Sequence, residues 1–438
     1  MAMSNAVGRG MIPRQGHRWF VAVELLRRSS AGRPELGVGE RLEAPGVAQL
    51  ERARARGLST AVLTRDRAFY GDDADWLVDR WIECDTVDPS AILAAIGPLG
   101  GTVAAITSTV DGFLGAAAAA ARSLGLRGPT PDSPALANDE AALRSAVTSA
   151  GLAVSPWVSV SAGALALTSA VGYPCVVTPV DGARRWDAAV VADDHQLREL
   201  AARHARRDTY GRRVRPRHRL LVEQYVHGPR YAADGYVTEG EAVILAWSAQ
   251  VMTLPPEFTE FALTAVRQPP TPGAGAFVGA ALAAAGHDFG PFHLEFVLGP
   301  AGPVLTSLHA RPAGPGAQLC VDHVAGVDTA DVAVALLLGE SPPGPPDEAV
   351  AACTRMYLVS HTAGRVREVS GVREVASIPG LLVAEVFTDV GDAIEPPGTP
   401  AGYIGHVLTV GASPEQARRR AAYALDGIRV DVEELQAV

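Results

Sequence analysis

Five side chains that could bind an anion or transfer a proton lie within one short stretch of this sequence. Because side chains alternate between the two faces of a β-strand, His293 and Glu295 are predicted to share one face of a strand. Ser307, His309 and Arg311 are predicted to share a face of the strand that follows. An acid, two imidazoles and a guanidinium that face one space are suited to acid–base catalysis or anion binding. The stretch therefore predicts a catalytic site, in which Ser307 contacts the substrate.

Glycine- and proline-rich segments separate and follow these two predicted strands. The sequence Gly-Pro-Ala-Gly-Pro from Gly299 to Pro303 predicts a hairpin turn. Gly314 and Gly316 would let a ligand approach the backbone closely, and we predict that they bind substrate. An ordinary amphipathic hairpin with a solvated face could also carry a single His or Glu. Five convergent positions favour the active site over that interpretation.

Composition bounds the class of protein. A length of 438 residues suggests two or three domains. With 48% hydrophobic and 20% charged residues the chain is globular, and no uninterrupted apolar run is long enough to span a bilayer. Residues 1–16 lack the apolar core of a signal peptide and are predicted to be a flexible tail, so we expect a cytoplasmic protein without a membrane partner. The formal net charge of -10 argues against a general nucleic-acid binder.

Two further features of composition lead to local predictions. The cysteines are far apart and make no paired metal spacing, so buried free thiols are expected at Cys84, Cys175, Cys320 and Cys353. Arginines are concentrated between Arg203 and Arg219. For that run we favour a solvated, mobile loop over an anion-binding lid.

The order of patterns along the chain predicts three units after the tail. Residues 17–130 alternate between strand-like apolar runs and helical patterns, which predicts a parallel sheet covered by helices. Thr107, Ser108 and Asp111 lie at the end of one of those strands, where open sheets of this kind bind ligands. Strands dominate residues 131–340, and a proline-rich linker leads into a unit of short strands and one closing helix at residues 341–438.

Several of these segments resemble the ATP-grasp superfamily, and within it the carboxylate–amine ligases, which activate an acid and couple it to an amine. "LLVEQYVHGPRYAADGYV" (220–237) resembles the strand pair that flanks adenine in the family. "GPFHLEFVL" and "GPVLTSLHARPAG" (290–314) resemble the closing strand pair. The resemblance covers nearly the whole chain. It implies an α/β fold with α+β central lobes, that is, an ATP-grasp fold with an N-terminal parallel-sheet domain and a small C-terminal α+β domain.

The chain departs from the family pattern at positions that serve the nucleotide. Glu140 and Thr178 stand where the resemblance implies phosphate-binding lysines. Of the implied magnesium ligands Glu295 is present, but Ser307 and His309 replace a Glu and an Asn. Hydrogen bonds to charged groups contribute about 1.5–3 kcal/mol each, so losing both lysines should weaken polyphosphate binding about a hundred- to ten-thousandfold. Magnesium also prefers carboxylate or carbonyl oxygens to an imidazole.

Other residues on the nucleotide side leave two interpretations open. Arg184, Arg185 and Arg230 could supply the missing charge in a rearranged phosphate cradle. Trp186 would obstruct a triphosphate and could stack on a substrate, so we predict that it binds substrate together with Arg230. Glu223 lies in the strand that resembles the adenine hinge, and is either a remnant of nucleotide binding or an ordinary strand acid.

The leading hypothesis is an enzyme of ATP-grasp fold that works without ATP, metal or another cofactor. It would carry out a dehydration, cyclisation or rearrangement on a small amino-acid-like or carboxylate-bearing substrate, in a specialised biosynthetic pathway. His309 and Glu295 would be acid and base, with His293 beside them, and Arg311 would anchor a carboxylate or stabilise an oxyanion. The alternatives are a carboxylate–amine ligase that uses ATP and Mg²⁺ and a non-catalytic binding or scaffold protein. A homodimer is the usual state for such proteins.

Overall fold

The computed structural model describes residues 16–25, 37–40, 42–70, 74–164, 167–181, 188–253, 259–344, 350–360, 362–395 and 402–434. Within those residues the chain forms four sheets with helices packed on them. None of the helices in these ranges is both long enough and apolar enough to cross a bilayer.

The N-terminal sheet is parallel, with strand order β4-β3-β1-β5, as the alternating pattern predicts. Its strands are β1 Arg18–Val23, β3 Ser59–Thr64, β4 Arg80–Glu83 and β5 Thr102–Thr107. The helices that connect and cover them are α1 Pro45–Ala55, α2 Pro89–Ile96 and α3 Asp111–Ser123. Helix α3 begins directly after β5, so Asp111 lies at the carboxyl edge of the sheet.

Two short helices, α4 Asp132–Ala137 and α5 Glu140–Ser149, lead from this sheet into a small lobe. Asp139 caps α5, because its side chain accepts a hydrogen bond from the amide of Ala142. The small lobe is an antiparallel sheet of order β6-β9-β7-β8. Its elements are β6 Trp157–Ser161, β7 Cys175–Pro179, β8 Ala189–Val191, α6 Asp194–Ala205 and β9 Arg219–Gln224.

The largest sheet has nine antiparallel strands in the order β14-β13-β10-β11-β12-β15-β19-β17-β2. Its strands are β2 Gly37–Gly39, β10 Arg230–Thr238, β11 Glu241–Met252, β12 Glu260–Val266, β13 Gly290–Gly299, β14 Gly302–His309, β15 Ala352–Val359, β17 Leu381–Val386 and β19 Tyr403–Gly411. The helices beside it are α7 Ala274–Ala284, α8 Pro315–Ala325, α9 Thr329–Leu338 and α10 Pro414–Gly427. A further sheet, β18-β16-β20, contains β16 Gly364–Ser370, β18 Ala393–Ile394 and β20 Arg429–Glu434.

Alternation along β13 shows why the large sheet has two unlike faces. Phe292, Leu294 and Phe296 are buried in one core with α5 and α7. His293 and Glu295, between them in sequence, therefore point to the opposite face. On that second face α8 covers the apolar part of β11 and β12, and the polar part beside it forms the candidate site.

The nine-stranded sheet continues across the predicted unit boundaries. Strands β15, β17 and β19 follow the proline-rich linker in sequence, yet they extend the sheet that begins with β10 to β14. Strand β2, from the N-terminal part of the chain, pairs with β17 at its edge. The boundaries near residues 130 and 340 stay a prediction.

Two local predictions can be compared with the structure. The cysteines are free thiols, and all except the half-buried Cys84 are buried. The prediction of a solvated, mobile loop between Arg203 and Arg219 is wrong for Arg212, whose side chain is only 10% exposed. Its guanidinium contacts the N-terminal sheet, because it donates hydrogen bonds to the hydroxyl of Tyr70 and to the backbone carbonyl of Leu25.

Candidate active site

The β13–β14 hairpin brings the predicted catalytic side chains together. His293 lies directly opposite His309, and Glu295 lies opposite Ser307. The two imidazole rings stack with their centroids 5.9 Å apart, and Arg311 follows the end of β14. We call the polar side chains on this side of the large sheet the polar face. Its members on the strands are Arg230, Asp234, Gln250, Glu260, His293, Glu295, Ser307, His309 and Arg355.

Glu295 lies at the centre of the polar face and is buried. Its Oε1 accepts a hydrogen bond from Nε2 of Gln250 at 2.7 Å, and its Oε2 accepts one from Oγ of Ser307 at 2.9 Å. Nε2 of His293 lies 3.5 Å from the same Oε1. These partners hold the carboxylate in one orientation, with its negative charge beside the hairpin.

His293 is held as an imidazolium between two acids. Its Nδ1 lies 2.7 Å from Oδ1 of Asp234, and the carboxylate of Glu295 is on its other side. Burial alone would lower the pKa of His293, but the attraction of Asp234 and then of Glu295 outweighs it and raises the pKa to about 10. The raised pKa favours the positively charged form of His293 at neutral pH.

Asp111 links the N-terminal sheet to the polar face. Its carboxylate accepts hydrogen bonds from Nε of Arg311 at 2.9 Å and from Nη2 at 2.8 Å, and its Oδ1 lies 3.1 Å from Nδ1 of His309. Burial would raise the pKa of Asp111, but Arg311 and His309 hold it well below its usual range. The side chains of Arg311 and His309 stay 16% and 26% exposed, so both can contact a ligand.

A second ion pair extends the polar face toward the C-terminal strands. Arg355 on β15 is buried, and its guanidinium donates to the carboxylate of Glu260 and lies 4.5 Å from the ring centroid of Tyr357. Nε2 of Gln250 also lies 3.2 Å from Glu260, which joins this pair to Glu295. A Cβ added to Gly316 would lie 2.7 Å from Cδ of Arg355, so glycine is needed for α8 to pack there.

The predicted substrate-binding glycines differ in their surroundings. Gly314 caps the N-terminus of α8, and a Cβ there would meet nothing within 4 Å. Gly316 lies two residues further along the chain, against the side chain of Arg355, and so adjoins the polar face.

The residues on the nucleotide side form an arginine-centred cluster. Arg144 of α5 is fully buried and makes hydrogen bonds of 2.6 and 3.0 Å to the carboxylate of Glu223. It also donates to the carbonyl of Thr306 at 2.6 Å and to Glu140 at 3.2 Å. Glu223 and Glu140 thus serve a structural ion pair, and the positive charge here comes from an arginine that sequence analysis did not single out.

The remaining positions on the nucleotide side are a threonine and an arginine. Thr178 lies on β7 of the small lobe, opposite Leu221 of β9. Arg230 lies opposite Gln250 on the polar face, and its Nη2 is 3.4 Å from Oγ1 of Thr306. Trp186, Arg184 and Arg185 lie outside the described residues.

The absence of lysine at positions 140 and 178 reflects the composition of the whole chain. The sequence contains no lysine anywhere, and all 38 of its basic side chains other than histidine are arginines. Arginine binds phosphate through a fork of donors and does so well. Any positive charge that meets a phosphate in this protein must therefore come from a guanidinium, an imidazolium or backbone amides.

Oxygen donors on the polar face fit one magnesium ion bound through a single carboxylate. Oε1 of Gln250 is buried and has no hydrogen-bond partner among the described residues, and it belongs to the amide that contacts Glu295. Magnesium is commonly held by one or two carboxylates, with substrate phosphates and water completing its shell. The described residues contain no group of three or more His, Cys, Asp and Glu side chains that could hold a metal ion without further ligands.

Comparisons with known proteins agree with this architecture. Residues 171–317 match the ATP-grasp domain, and residues 356–433 match the L-amino acid ligase C-terminal domain 2. The uncharacterized protein y4rH of Sinorhizobium fredii is 27% identical over 436 residues, which cover 95% of this chain and 86% of that protein.

Solved structures share the fold over almost the whole chain. The L-amino acid ligase from Bacillus licheniformis superposes with a TM-score of 0.74 at 19% identity, covering 96% of this chain and all of that one. The N5-carboxyaminoimidazole synthetase from Staphylococcus aureus, solved with ADP, gives a TM-score of 0.62 at 13% identity, covering 94% and 98%. The predicted fold class is confirmed. This chain has the ATP-grasp fold, within which residues 171–317 match the ATP-grasp domain and residues 356–433 match the L-amino acid ligase C-terminal domain 2.

Proposed function

We propose that this chain is an ATP-dependent ligase that joins the carboxylate of one small, amino-acid-like molecule to an amine. The observation that carries the proposal is that one chain matches both an ATP-grasp domain and an L-amino acid ligase C-terminal domain. Arg355, which directly precedes the second match, pairs with Glu260 and lies against the ring of Tyr357 at the start of that match. Gln250 contacts both Glu260 and Glu295, so the start of the second match adjoins the polar face.

The residues of the polar face have separate parts in this reaction. Arg311, fixed by Asp111, keeps N–H groups beyond those that bind the aspartate, and it would anchor a substrate carboxylate. The imidazolium of His293 and the guanidinium of Arg230 add positive charge where oxyanions would develop. His309, whose Nε2 has no hydrogen-bond partner among the described residues, would face the amine.

The nucleotide and its metal would contact a different part of the face. Glu295 and Gln250 would hold magnesium, and Arg230 would approach the phosphates. When bound there, MgATP would supply the activation that makes the carboxylate reactive toward an amine. The walls of the cleft would orient the two substrates and exclude water, which competes with the amine for the activated carboxylate.

Acid–base chemistry without a nucleotide is the second candidate, and one specific observation favours it. Glu140 and Thr178 leave no positive charge at the positions where the family resemblance implies phosphate-binding lysines. In that case His309 would transfer protons at its Nε2, with Asp111 fixing the tautomer through Nδ1. Arg311 would keep its role as carboxylate anchor.

One turnover experiment separates the two candidates. The purified protein is incubated with mixtures of amino acids, with and without MgATP, and we measure ADP, phosphate and product masses. The proposal predicts that ADP and phosphate appear in equal amounts with a product that weighs the sum of two substrates minus one water. Substrate conversion at the same rate without nucleotide would overturn the ligase proposal and support the second candidate. Glu295→Gln, which keeps the shape of the side chain, is the matched control and should abolish ADP release.

A further inference from the structure

A single arginine of the small lobe is inserted into the N-terminal sheet. Arg212 donates from Nε to the hydroxyl of Tyr70 at 2.9 Å and from Nη2 to the carbonyl of Leu25. Its Nε also lies 3.3 Å from Oε2 of Glu24, and its guanidinium covers the ring of Phe69 at 4.4 Å. These contacts join segments that are nearly two hundred residues apart in sequence.

The receiving crevice is built around a carboxylate with no exposed surface. Glu24 accepts hydrogen bonds from Oγ1 of Thr64 at 3.0 Å, from Oγ1 of Thr86 at 2.9 Å, from the amide of Arg65 at 2.7 Å and from the hydroxyl of Tyr70. The crevice lies at the carboxyl ends of β1 and β3, where open parallel sheets take ligands. In this chain a guanidinium of the same chain is seated there.

The backbone next to Arg212 adopts a conformation that needs support. Arg212 and Arg213 have φ angles of +48° and +56°, in the left-handed region that non-glycine residues rarely occupy. Arg213 gives little support, because its side chain is 70% exposed and reaches Asp66 only at 4.0 Å. Backbone hydrogen bonds from Tyr210 N to Val214 O and from Val214 N to Gly211 O close this turn, and the docked side chain of Arg212 attaches it to the N-terminal sheet.

The segment from Tyr210 to Arg217, which carries Arg212, forms one wall of a cavity of about 420 Å³. Phe113 and Val110 of the α3 region and Val214 of the segment give the cavity an apolar surface, and Asp111 and Tyr210 give it polar groups. Asp111 is the same residue that holds Arg311 and His309, so the cavity adjoins the polar face. Its volume lies in the range of pockets that bind small ligands.

We propose that Arg212 is a positioning residue, and that its docking beside Glu24 closes this cavity over a small, amino-acid-like substrate with an apolar side chain. The inference rests on the proposed ligase function for the nature of the substrate, but the docking itself does not. The substrate enters when the segment from Tyr210 to Arg217 leaves the crevice. Return of Arg212 then presses the substrate toward Asp111 and the polar face.

Limited digestion with trypsin tests the docking without using the reaction. The segment between Arg203 and Arg219 is rich in arginines, so trypsin should cleave it wherever it opens. We compare Arg212→Gln with Arg213→Gln, because each variant removes one arginine from the same turn. Cleavage within the segment should be at least tenfold faster in Arg212→Gln than in wild type, close to wild type in Arg213→Gln, and intermediate in Arg212→Lys. Equal rates in all four proteins would overturn the docking role.

Steady-state kinetics with MgATP and amino acids tests what the docking does. Arg212→Gln should raise KM for one amino-acid substrate at least tenfold and leave kcat within about threefold, and Arg213→Gln should change neither value. An unchanged KM in an Arg212→Gln protein that trypsin shows to be open would overturn the substrate-holding role. If the wild type forms no amide at all, the proposed function fails with it, and the trypsin comparison still decides whether Arg212 holds the segment. Glu24→Gln, which changes the receiving side, should reproduce the Arg212→Gln result.

Discussion

The link between Asp111 and Arg311 gives the most specific test of how the site is held together. Asp111→Asn keeps the size of the side chain and removes its charge, so the guanidinium of Arg311 loses its counter-ion and the Nδ2 group of the new amide faces N–H donors. Removing one partner of a fully buried pair costs about 3–5 kcal/mol. Because Arg311 and His309 keep 16% and 26% exposure, solvent offsets part of that cost. We expect the variant to lose about 2–3 kcal/mol of unfolding free energy.

Urea unfolding followed by circular dichroism measures this loss, and the pH dependence checks its cause. The pKa of Asp111 is lowered in the folded state, so its contribution to stability is present above the ordinary aspartate pKa, near 4, and is lost as pH falls below it. The difference between wild type and Asp111→Asn should therefore shrink under acid conditions. The matched control is Asp132→Asn, an exposed aspartate at the start of α4, which should cost less than about 1 kcal/mol.

Equal effects of Asp111→Asn and Asp132→Asn at neutral pH would contradict a stabilising ion pair between Asp111 and Arg311. A cost of Asp111→Asn that stays constant down to pH 3 would contradict the lowered pKa of Asp111. In an active preparation, Asp111→Asn should also raise KM for the carboxylate substrate at least tenfold, because Arg311 is no longer held in one orientation.

Three further changes have effects that follow from individual contacts. Glu223→Gln removes the charge that pairs with the fully buried guanidinium of α5 and should cost about 3 kcal/mol in urea unfolding. Gly316→Ala places a methyl group 2.7 Å from Cδ of Arg355, and should cost about 1–3 kcal/mol in the same assay and lower activity. Burial raises the pKa of Asp322 to about 7, so the folded state keeps this proton between pH 4 and 7 and stability should fall as pH rises through that range. Asp322→Asn, which can still accept the amide of Thr329, should flatten that fall and raise the unfolding free energy at pH 8 by about 1 kcal/mol or more.

A specific measurement would contradict the expected effect of each of these three substitutions. A Glu223→Gln protein as stable as wild type would mean that the ion pair contributes nothing to the fold. Gly314→Ala is the control for the helix glycine, because its Cβ would meet nothing within 4 Å, and equal effects of the two alanines would contradict the packing argument. A steeper loss of stability with pH in Asp322→Asn would contradict the assigned pKa shift.

Periodicity along each strand pairs some of the site residues from the sequence alone: His293 with Glu295 on β13, and Ser307 with His309 on β14. Periodicity does not bring the two pairs to the same face. The register at the turn would place Thr306 opposite Glu295, and the register shift between Leu305 and Ser307 puts Ser307 and His309 beside Glu295 and His293. The same local rule cannot find their partners. Asp111, which organises Arg311, lies 200 residues away in sequence, and only the packing of the N-terminal sheet against the hairpin brings them together.

Other contacts gave no signal in the sequence for the same reason. Arg144 reaches Glu223 across 79 positions, and Arg355 reaches Glu260 across 95. The sequence around Gln250 has no feature that sets it apart from other strand residues, yet Gln250 joins two acids on the polar face. The sequence also does not show which arginine of a charged run is buried, so nothing in the residues around Arg212 distinguishes it from its exposed neighbours.

The lysine-free composition changes how the nucleotide side of the cleft is interpreted. Taken alone, Glu140 and Thr178 indicate a phosphate site that has lost its cations. All basic side chains of this chain other than histidine are arginines, so the absence of lysine at these two positions is not specific to the nucleotide side of the cleft. Arg230 on the sheet is then the natural candidate for phosphate binding, and Arg230→Gln should weaken nucleotide binding more than Arg219→Gln on the small lobe.

Titration of MgADP into the purified protein by calorimetry measures whether this cleft binds a nucleotide together with its metal. We expect binding at micromolar strength, at least tenfold weaker when magnesium is omitted and at least tenfold weaker in Glu295→Gln. A flat trace with wild-type protein at concentrations well above micromolar, with the protein folded by circular dichroism, would contradict the claim that this cleft serves an ATP-dependent ligase.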